Sequence, residues 1–392
     1  MDLHKIAEQL NIADYPEELN DLSINPDTSR ICDPAWIDHL EREYNVFGKY
    51  YPLIREAAIQ LQNDNARLCW GQIIASYLEF CDVSHACQVP MPASDMTLAG
   101  NFLPLLILMT QLEHSVAEYR RRNMPEDMIK RNLYHYIDGI DIIKYESGHA
   151  AINKTYFNWL TKFAKAKLFN AHGFNFEIKA LPSNICVLKD IKTSELIPVF
   201  TGGIFHRCGM SLGSAGFEGD SGCFCANFEE SETTITGHAC HNERADSHKS
   251  TFSKAEYDIF LRPGDPIVSV HIPRGTDISA TNATQALKAG FQDAVLYYPE
   301  HAAKALWCQS WLLDPNLQTL LKHNSRIVQF GNLFTRYPVQ SKGKEIFSFV
   351  YRKQMPLSDL PEKTSLEQAL KQHYLNGKFI HAYAGVILPE LL

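Results

Sequence analysis

The sequence has no apolar run long enough to cross a bilayer. Its longest, Phe102 to Met109, contains Pro104 and is closed by Gln111, Glu113 and His114, so it reads as a buried helix. Positive charge is also scarce. The 37 Lys and Arg residues against 45 Asp and Glu give a formal net charge of -8, which argues against broad nucleic-acid binding and leaves room only for a local basic pocket. The opening MDLHKIAEQLNIADYPEEL is amphipathic and acidic, without the basic start and apolar core of a secretory leader. The ten cysteines are therefore expected as free thiols in a reducing, cytoplasmic setting. No membrane or nucleic-acid partner is expected. No repeat of domain size and no low-complexity tract is visible. The glycines at 213, 216, 219 and 222 are not followed by Gly-Lys-Ser/Thr, which excludes a phosphate loop there.

What is present fits two domains, since 392 residues can fill two cores. Residues 1–160 read as helical. Asp33-Pro34 is a helix start followed by the stripe Trp36, Ile37, Leu40 and Tyr44. Further helical patterns cover about 50–61, 69–80 and 102–122, and another begins at Pro125. An amphipathic helix from Asn153 to Leu168 is expected to link the domains. After Gly173 the period changes to two, with Phe174, Phe176 and Ile178 alternating against Asn175, Glu177 and Lys179. The boundary is placed near residue 160, giving domains 1–160 and 161–392. In the second domain, strands are expected over 185–205, 326–334, 345–351 and 379–388. Short helices are expected from Ser253 and from Thr364, the latter capped through Glu367 and ended by Asn376-Gly377. The fold class is α+β, a helical domain followed by a mixed sheet with flanking helices.

The organising stretch runs from Arg262 to Leu313. A strand from Ile267 to Ile272 puts Val268, Val270 and Ile272 on one face and Ile267, Ser269 and His271 on the other. Pro273 and Gly275 stop it. A polar loop from Arg274 to Asn282 then feeds a helix with the stripe Leu287, Gly290, Phe291, Ala294 and Tyr298, and Asn282 with Gln285 suits an N-terminal cap. A second strand, about Ala305 to Leu313, sets Cys308 and Ser310 on one face and Trp307, Gln309 and Trp311 on the other. A loop entering a helix N-terminus at a strand end is an anion site in principle, with Arg274 adding charge, although most such joins bind nothing. His271 titrates near working pH and suits proton transfer; a hydrogen bond that fixes the strand end is the competing role. Cys308 and Ser310 are either reactive groups or small residues that permit close packing.

Three other constellations read differently. Gly219-Asp220-Ser221-Gly222 matches in letters the nucleophile segment of chymotrypsin-like proteases, but the half upstream is helical where that fold is all β. Cys223, Cys225, His238, Cys240, His241 and His248 are metal-capable, yet the pairs Cys223/Cys225 and His238/Cys240 are separated by a single residue, tight for a tetrahedral knuckle. No metal is expected, and a metal-dependent hydrolase is the weakest of the readings. Arg120, Arg121 and Arg122 read as a solvated helix end.

The string VSVHIPRG with its following helix, then CQSWLLDP and RIVQF, resembles a family of predicted acyltransferases that join a helical N-terminal domain to a GNAT-like C-terminal domain, GNAT being the N-acetyltransferase fold. FLPLLILM at Phe102 to Met109, YRRRNMPEDMIKRNL at Tyr119 to Leu133, AKLFNAHGFNFEI at Ala166 to Ile178 and LPEKTSLEQALKQHYLNG at Leu360 to Gly377 extend the resemblance to about three quarters of the chain. The resemblance implies transfer of an acyl group from acetyl-CoA or another acyl-CoA to an unidentified amine. It implies that Val270 and Ile272 present backbone to the pantetheine arm, and that Arg274, Gly275, Thr276, Ser279 and Asn282 surround the diphosphate. His271 would remove the acceptor's proton, with Ser310 or Cys308 beside the thioester. Where GNAT loops carry Gln/Arg-x-x-Gly-x-Gly/Ala, this chain has Arg274-Gly275-Thr276-Asp277-Ile278-Ser279. Asp277 brings negative charge toward the phosphates, which favours the rival expectation of a GNAT-fold binding or regulatory protein without catalysis. If acyl-CoA binds, the two strands should diverge at their ends and leave a gap for the thioester.

Overall fold

The computed structural model describes residues 2–219 and 221–392; Asp220, in the protease-like segment, lies outside them. The chain forms two compact units, Met1–Asn170 and Ala171–Leu392. Among the described residues no helix is long and apolar enough to cross a membrane.

The first unit is built from α1 (Leu3–Gln9), α2 (Pro34–Tyr44), α3 (Tyr51–Leu61), α4 (Asn65–Phe80), α5 (Val83–Ala86), α6 (Leu98–Met109), α7 (Leu112–Arg121), α8 (Glu126–Ser147) and α9 (Lys154–Ala164). Local chemistry sets their ends. Asp33 accepts from Ala35 N with Pro34 in the first turn, and Asn45 closes α2 in the left-handed region at φ 47°. The single helix expected over 102–122 is two, because Thr110 Oγ1 donates to Ile107 O and the chain turns at Gln111 before α7. The three arginines at its end are not simply solvated: Arg120 pairs with Glu126, and Arg121 and Arg122 with Glu118, all within 2.8 Å. The boundary expected near residue 160 falls inside α9, which Asn153 caps by accepting from Tyr156 N.

The second unit follows β1 (Leu168–Ala171), the strand in which the units divide. Its strands are β2 (Phe174–Ala180), β3 (Ile185–Asp190), β4 (Leu196–Phe200), β5 (Ile204–Phe205), β6 (Phe224–Cys225), β7 (Phe228–Glu230), β8 (Thr234–His241), β9 (Arg244–Ala245), β10 (Ser250–Ser253), β11 (Tyr257–Leu261), β12 (Pro266–His271), β13 (Leu306–Ser310), β14 (Thr335–Pro338) and β15 (Tyr383–Ile387). The helices are α10 (Ala280–Tyr297), α11 (Leu317–Leu320), α12 (Arg326–Gly331), α13 (Glu345–Phe349) and α14 (Ser365–Leu375). A six-stranded mixed sheet runs β1-β2-β12-β13-β15-β14, and a seven-stranded sheet has the path β10-β8-β4-β3-β11 with β7 and β9 on β8. One apolar cluster joins the two sheets, with Ile267, Trp307, Tyr337 and Val386 from the first and Val187, Phe200 and Leu261 from the second. The opposite face of the first sheet meets α10, where a Cβ on Gly290 would stand 1.9 Å from the Phe176 ring. Only glycine allows that approach.

Three sequence expectations are corrected. Residues 326–334 and 345–351 do not form strands but contain α12 and α13, whose Val328 and Phe330, and Ile346 and Phe347, are buried. Short apolar runs rich in β-formers take whichever form buries them. Ser253 to Glu256 is a turn, not a helix start: Glu256 N donates to Ser253 O and Ala255 N to Ser253 Oγ. The expected helix at 364 is present as α14, with a complete capping box between Thr364 and Glu367.

Candidate acyl-CoA site

β12 and β13 lie side by side and parallel, but their pairing is confined to Val268↔Leu306 and Ser269↔Trp307. Each strand continues past that point held by its other neighbour. β12 pairs with β2 as far as His271↔Asn175, and β13 with β15 as far as Ser310↔Tyr383. The sheet therefore opens after Ser269 and Trp307. Val268 N donates to Ala305 O across the pair at 3.0 Å. Because backbone polar groups alternate in direction along a strand, the carbonyl of Val270 faces the same side, toward the opening, and Gln309 N–H faces it from β13.

Beyond β12, Pro273 to Thr276 make a turn closed by Thr276 N donating to Pro273 O, with Gly275 at φ 85°. Only glycine takes that conformation without strain. Thr276 Oγ1 lies 2.7 Å from the carbonyls of Gly173 and Pro273, which ties the turn to the β1–β2 hairpin. Arg274 is exposed. α10 starts at Ala280 with Ser279 at the cap position and no side-chain cap bond. The cap expected from Asn282 is not made; Asn282 Nδ2 donates to Asp277 O instead. Asp277 accepts from Ser279 N at 3.0 Å and from Ser279 Oγ at 3.1 Å, with Arg326 at 3.5 Å. The backbone N–H of Ser279 is the largest influence holding its carboxyl below the usual range.

The face of β12 that bears His271 also bears buried Ser269. Across the antiparallel pair, Glu177 of β2 stands opposite Ser269, and its Oε2 is 2.7 Å from His271 Nε2. The carboxylate side chain is 6% exposed and the imidazole 30%. Sequence reasoning assigned no role to Glu177. The alternation after Gly173 already put it on the polar face of β2, but the register that brings it to His271 is a tertiary fact.

Leu306 is the register partner of Val268, so alternation puts Cys308 and Ser310 on the Val268 face and His271 on the opposite one. Cys308 is fully buried, and burial pushes its thiol up to about 12. Ser310 Oγ accepts from Leu312 N at 3.2 Å, starting a helical turn where the strand was expected to continue. The Cys/His span is dispersed. His238 Nδ1 meets Asp246 O at 2.9 Å, Cys240 is held by Arg336 O, and Cys225 is exposed. Among the described residues no three His, Cys, Asp or Glu side chains gather as a metal-binding group.

Residues 209–387 match the family described as the GNAT-like C-terminal domain. Among solved structures, an acyltransferase mutant in complex with octanoyl-CoA is similar with a TM-score of 0.69 at 16% identity, covering 99% of this chain and 99% of that chain. An acyltransferase in complex with CoA and 10C-Teicoplanin gives 0.67 at 17% identity, again over 99% of each chain. One in complex with decanoyl-CoA gives 0.66 at 18% identity over the same 99% of each. No curated protein matches the sequence. At these identities the likeness is one of fold along the whole length, with the match to the GNAT-like C-terminal domain confined to residues 209–387.

Proposed function

We propose that the protein transfers an acyl group from acyl-CoA to an amine, with acetyl-CoA or a longer acyl-CoA as co-substrate. The observation that carries this reading is the end of β12–β13 pairing after Ser269↔Trp307. Two strands held on their outer sides and parted between them offer backbone groups to an amide-bearing arm. The carbonyls of Val270 and Ile272 would take hydrogen bonds from the pantetheine amides, and Gln309 N–H would give one. The amides after Gly275, with Arg274, Thr276, Ser279 and Asn282 around them, would hold the diphosphate. Similar folds in complex with octanoyl-CoA and decanoyl-CoA support acyl-CoA as the co-substrate.

Chemistry then needs little beyond position. A neutral amine attacks the thioester carbonyl, His271 takes the amine's proton, the C–S bond breaks and the CoA thiolate leaves. Alignment and proton removal supply most of the rate. Ser310, at the open end of β13 but on the face opposite His271, would reach the thioester sulfur only from the other side of the sheet. Its oxygen accepts from Leu312 N, which leaves the hydroxyl proton to meet the departing thiolate. Cys308 serves packing.

One observation favours a binding protein without catalysis. The Asp277 carboxylate stands at the entrance to α10, where a diphosphate would sit. Arg326 offsets that charge at 3.5 Å. Calorimetric titration with acetyl-, octanoyl- and decanoyl-CoA, followed by an assay for released CoA thiol with an amine panel, separates the readings. Binding with turnover supports the transferase, and binding without turnover supports the regulatory protein. Absence of binding at millimolar acyl-CoA removes both.

A further inference from the structure

Ser269 is 1% exposed, and its Oγ has no hydrogen-bond partner among the described residues. A buried hydroxyl left unbonded costs stability, and alanine in the same strand would avoid that cost. Its position gives the hydroxyl a use. Ser269↔Trp307 is the last paired rung before β12 and β13 part, so the side chain stands at the apex of the opening, on the face of β12 that bears His271. Across the sheet that row reads Glu177, Ser269, Trp307 and Val386. Trp307 Nε1 already donates to the Tyr337 hydroxyl at 2.8 Å, whereas the Ser269 donor is unspent. We propose that Ser269 is a catalytic residue whose Oγ–H holds the thioester carbonyl oxygen and the negative charge that this oxygen gains during acyl transfer.

The proposal rests on the reading of the opening as the acyl-CoA site. With the diphosphate at the Gly275 turn and the pantetheine amides on the carbonyls of Ile272 and Val270, the next group along the arm is the thioester. It arrives at the rung of Ser269. The bond from Val268 N to Ala305 O closes the sheet there, so the acyl group has to turn out of the sheet plane. One side offers Val268, Leu306 and Cys308, all fully buried and without a hydroxyl. The other offers the unbonded hydroxyl of Ser269. On that side the electron balance is complete: the amine's lone pair forms the C–N bond, the C=O π pair moves onto the oxygen that Ser269 holds, and its return re-forms C=O as the C–S bond breaks. The serine keeps its proton throughout. A hydrogen bond that strengthens as charge develops lowers the barrier more than it raises affinity.

The test uses the full-length protein with octanoyl-CoA and no amine. Infrared difference spectra of the bound thioester against its carbon-13 carbonyl form are expected to place the C=O stretch at lower frequency in the wild type than in Ser269→Ala, because a donated hydrogen bond weakens the C=O bond. With any amine that is accepted, kcat of Ser269→Ala should fall by about 10²-fold, while calorimetric affinity for octanoyl-CoA weakens by no more than about ten-fold. The same carbonyl frequency in wild type and variant, each with octanoyl-CoA bound, overturns the role of Ser269 and leaves the transferase reading standing. Failure of the wild type to bind octanoyl-CoA removes both together. If Ser269→Ala does not fold, Ser269→Cys, whose thiol is a weak donor, is read in its place with the same expectation.

Discussion

A thiol that burial keeps protonated far above working pH makes a poor nucleophile and a poor acid toward a departing thiolate. Cys308 is such a thiol, pushed up to about 12 with none of its surface exposed. Cys308→Ala is expected to leave kcat within about three-fold of wild type while costing roughly 1–2 kcal/mol in urea unfolding, as a small buried group is lost. His271→Ala should instead lower kcat by about 10²–10⁴-fold with stability little changed. Equal effects of the two substitutions on turnover would contradict the assignment. Acid sensitivity has its own residue-scale marker in Glu230, whose carboxyl is lowered to about 2 by hydrogen bonds from Arg262 and then Lys254. A depressed carboxyl stabilises the fold above its unfolded value near 4.3 and loses that contribution as pH falls toward 2. Glu230→Gln should therefore be less stable than wild type at pH 6, with the gap closing as acid approaches pH 2, in thermal melts followed across that range.

Elements were legible wherever a local signal decided them. The capping box of Thr364 and Glu367, the Asn376-Gly377 stop and the Asp33-Pro34 start are local events, and each stands in the structure. Runs such as Ile327 to Phe330 and Ile346 to Phe349 have no such signal, and the surroundings that bury them chose helix over strand. At Ser253 the capping letters were present, but the serine bonds to its own turn. Contact between elements gives sharper expectations. A methyl at Gly290 collides with the Phe176 ring, so Gly290→Ala should lose about 1–3 kcal/mol by chemical denaturation and displace α10. A stability equal to wild type would show that the close approach is not needed. Thr364→Ala, which removes one half of the capping box, should cost about 1 kcal/mol.

At the scale of the whole molecule, the order of helical and mixed-sheet units was readable from the change of period after Gly173, because amphipathic period is a property of sequence alone. The division at Asn170 was not, since α9 belongs by packing to the helices before it while its sequence reads equally as a linker. The site shows the same split. His271 and the turn at Gly275 were visible as a strand end and a glycine, whereas Glu177 needed the register of β2 against β12. The parting of β12 from β13 was expected only through resemblance, because where a ladder between two strands stops is a tertiary fact that the letters of either strand do not carry. That parting is also where the account is most exposed. Hydrogen-exchange mass spectrometry of the segment containing Gln309, with and without saturating octanoyl-CoA, reads it directly. The account predicts that the Gln309 amide exchanges at least about ten-fold more slowly with ligand bound, as it acquires a hydrogen-bond acceptor, while β8 is unchanged. Identical exchange in that segment at saturation would contradict it.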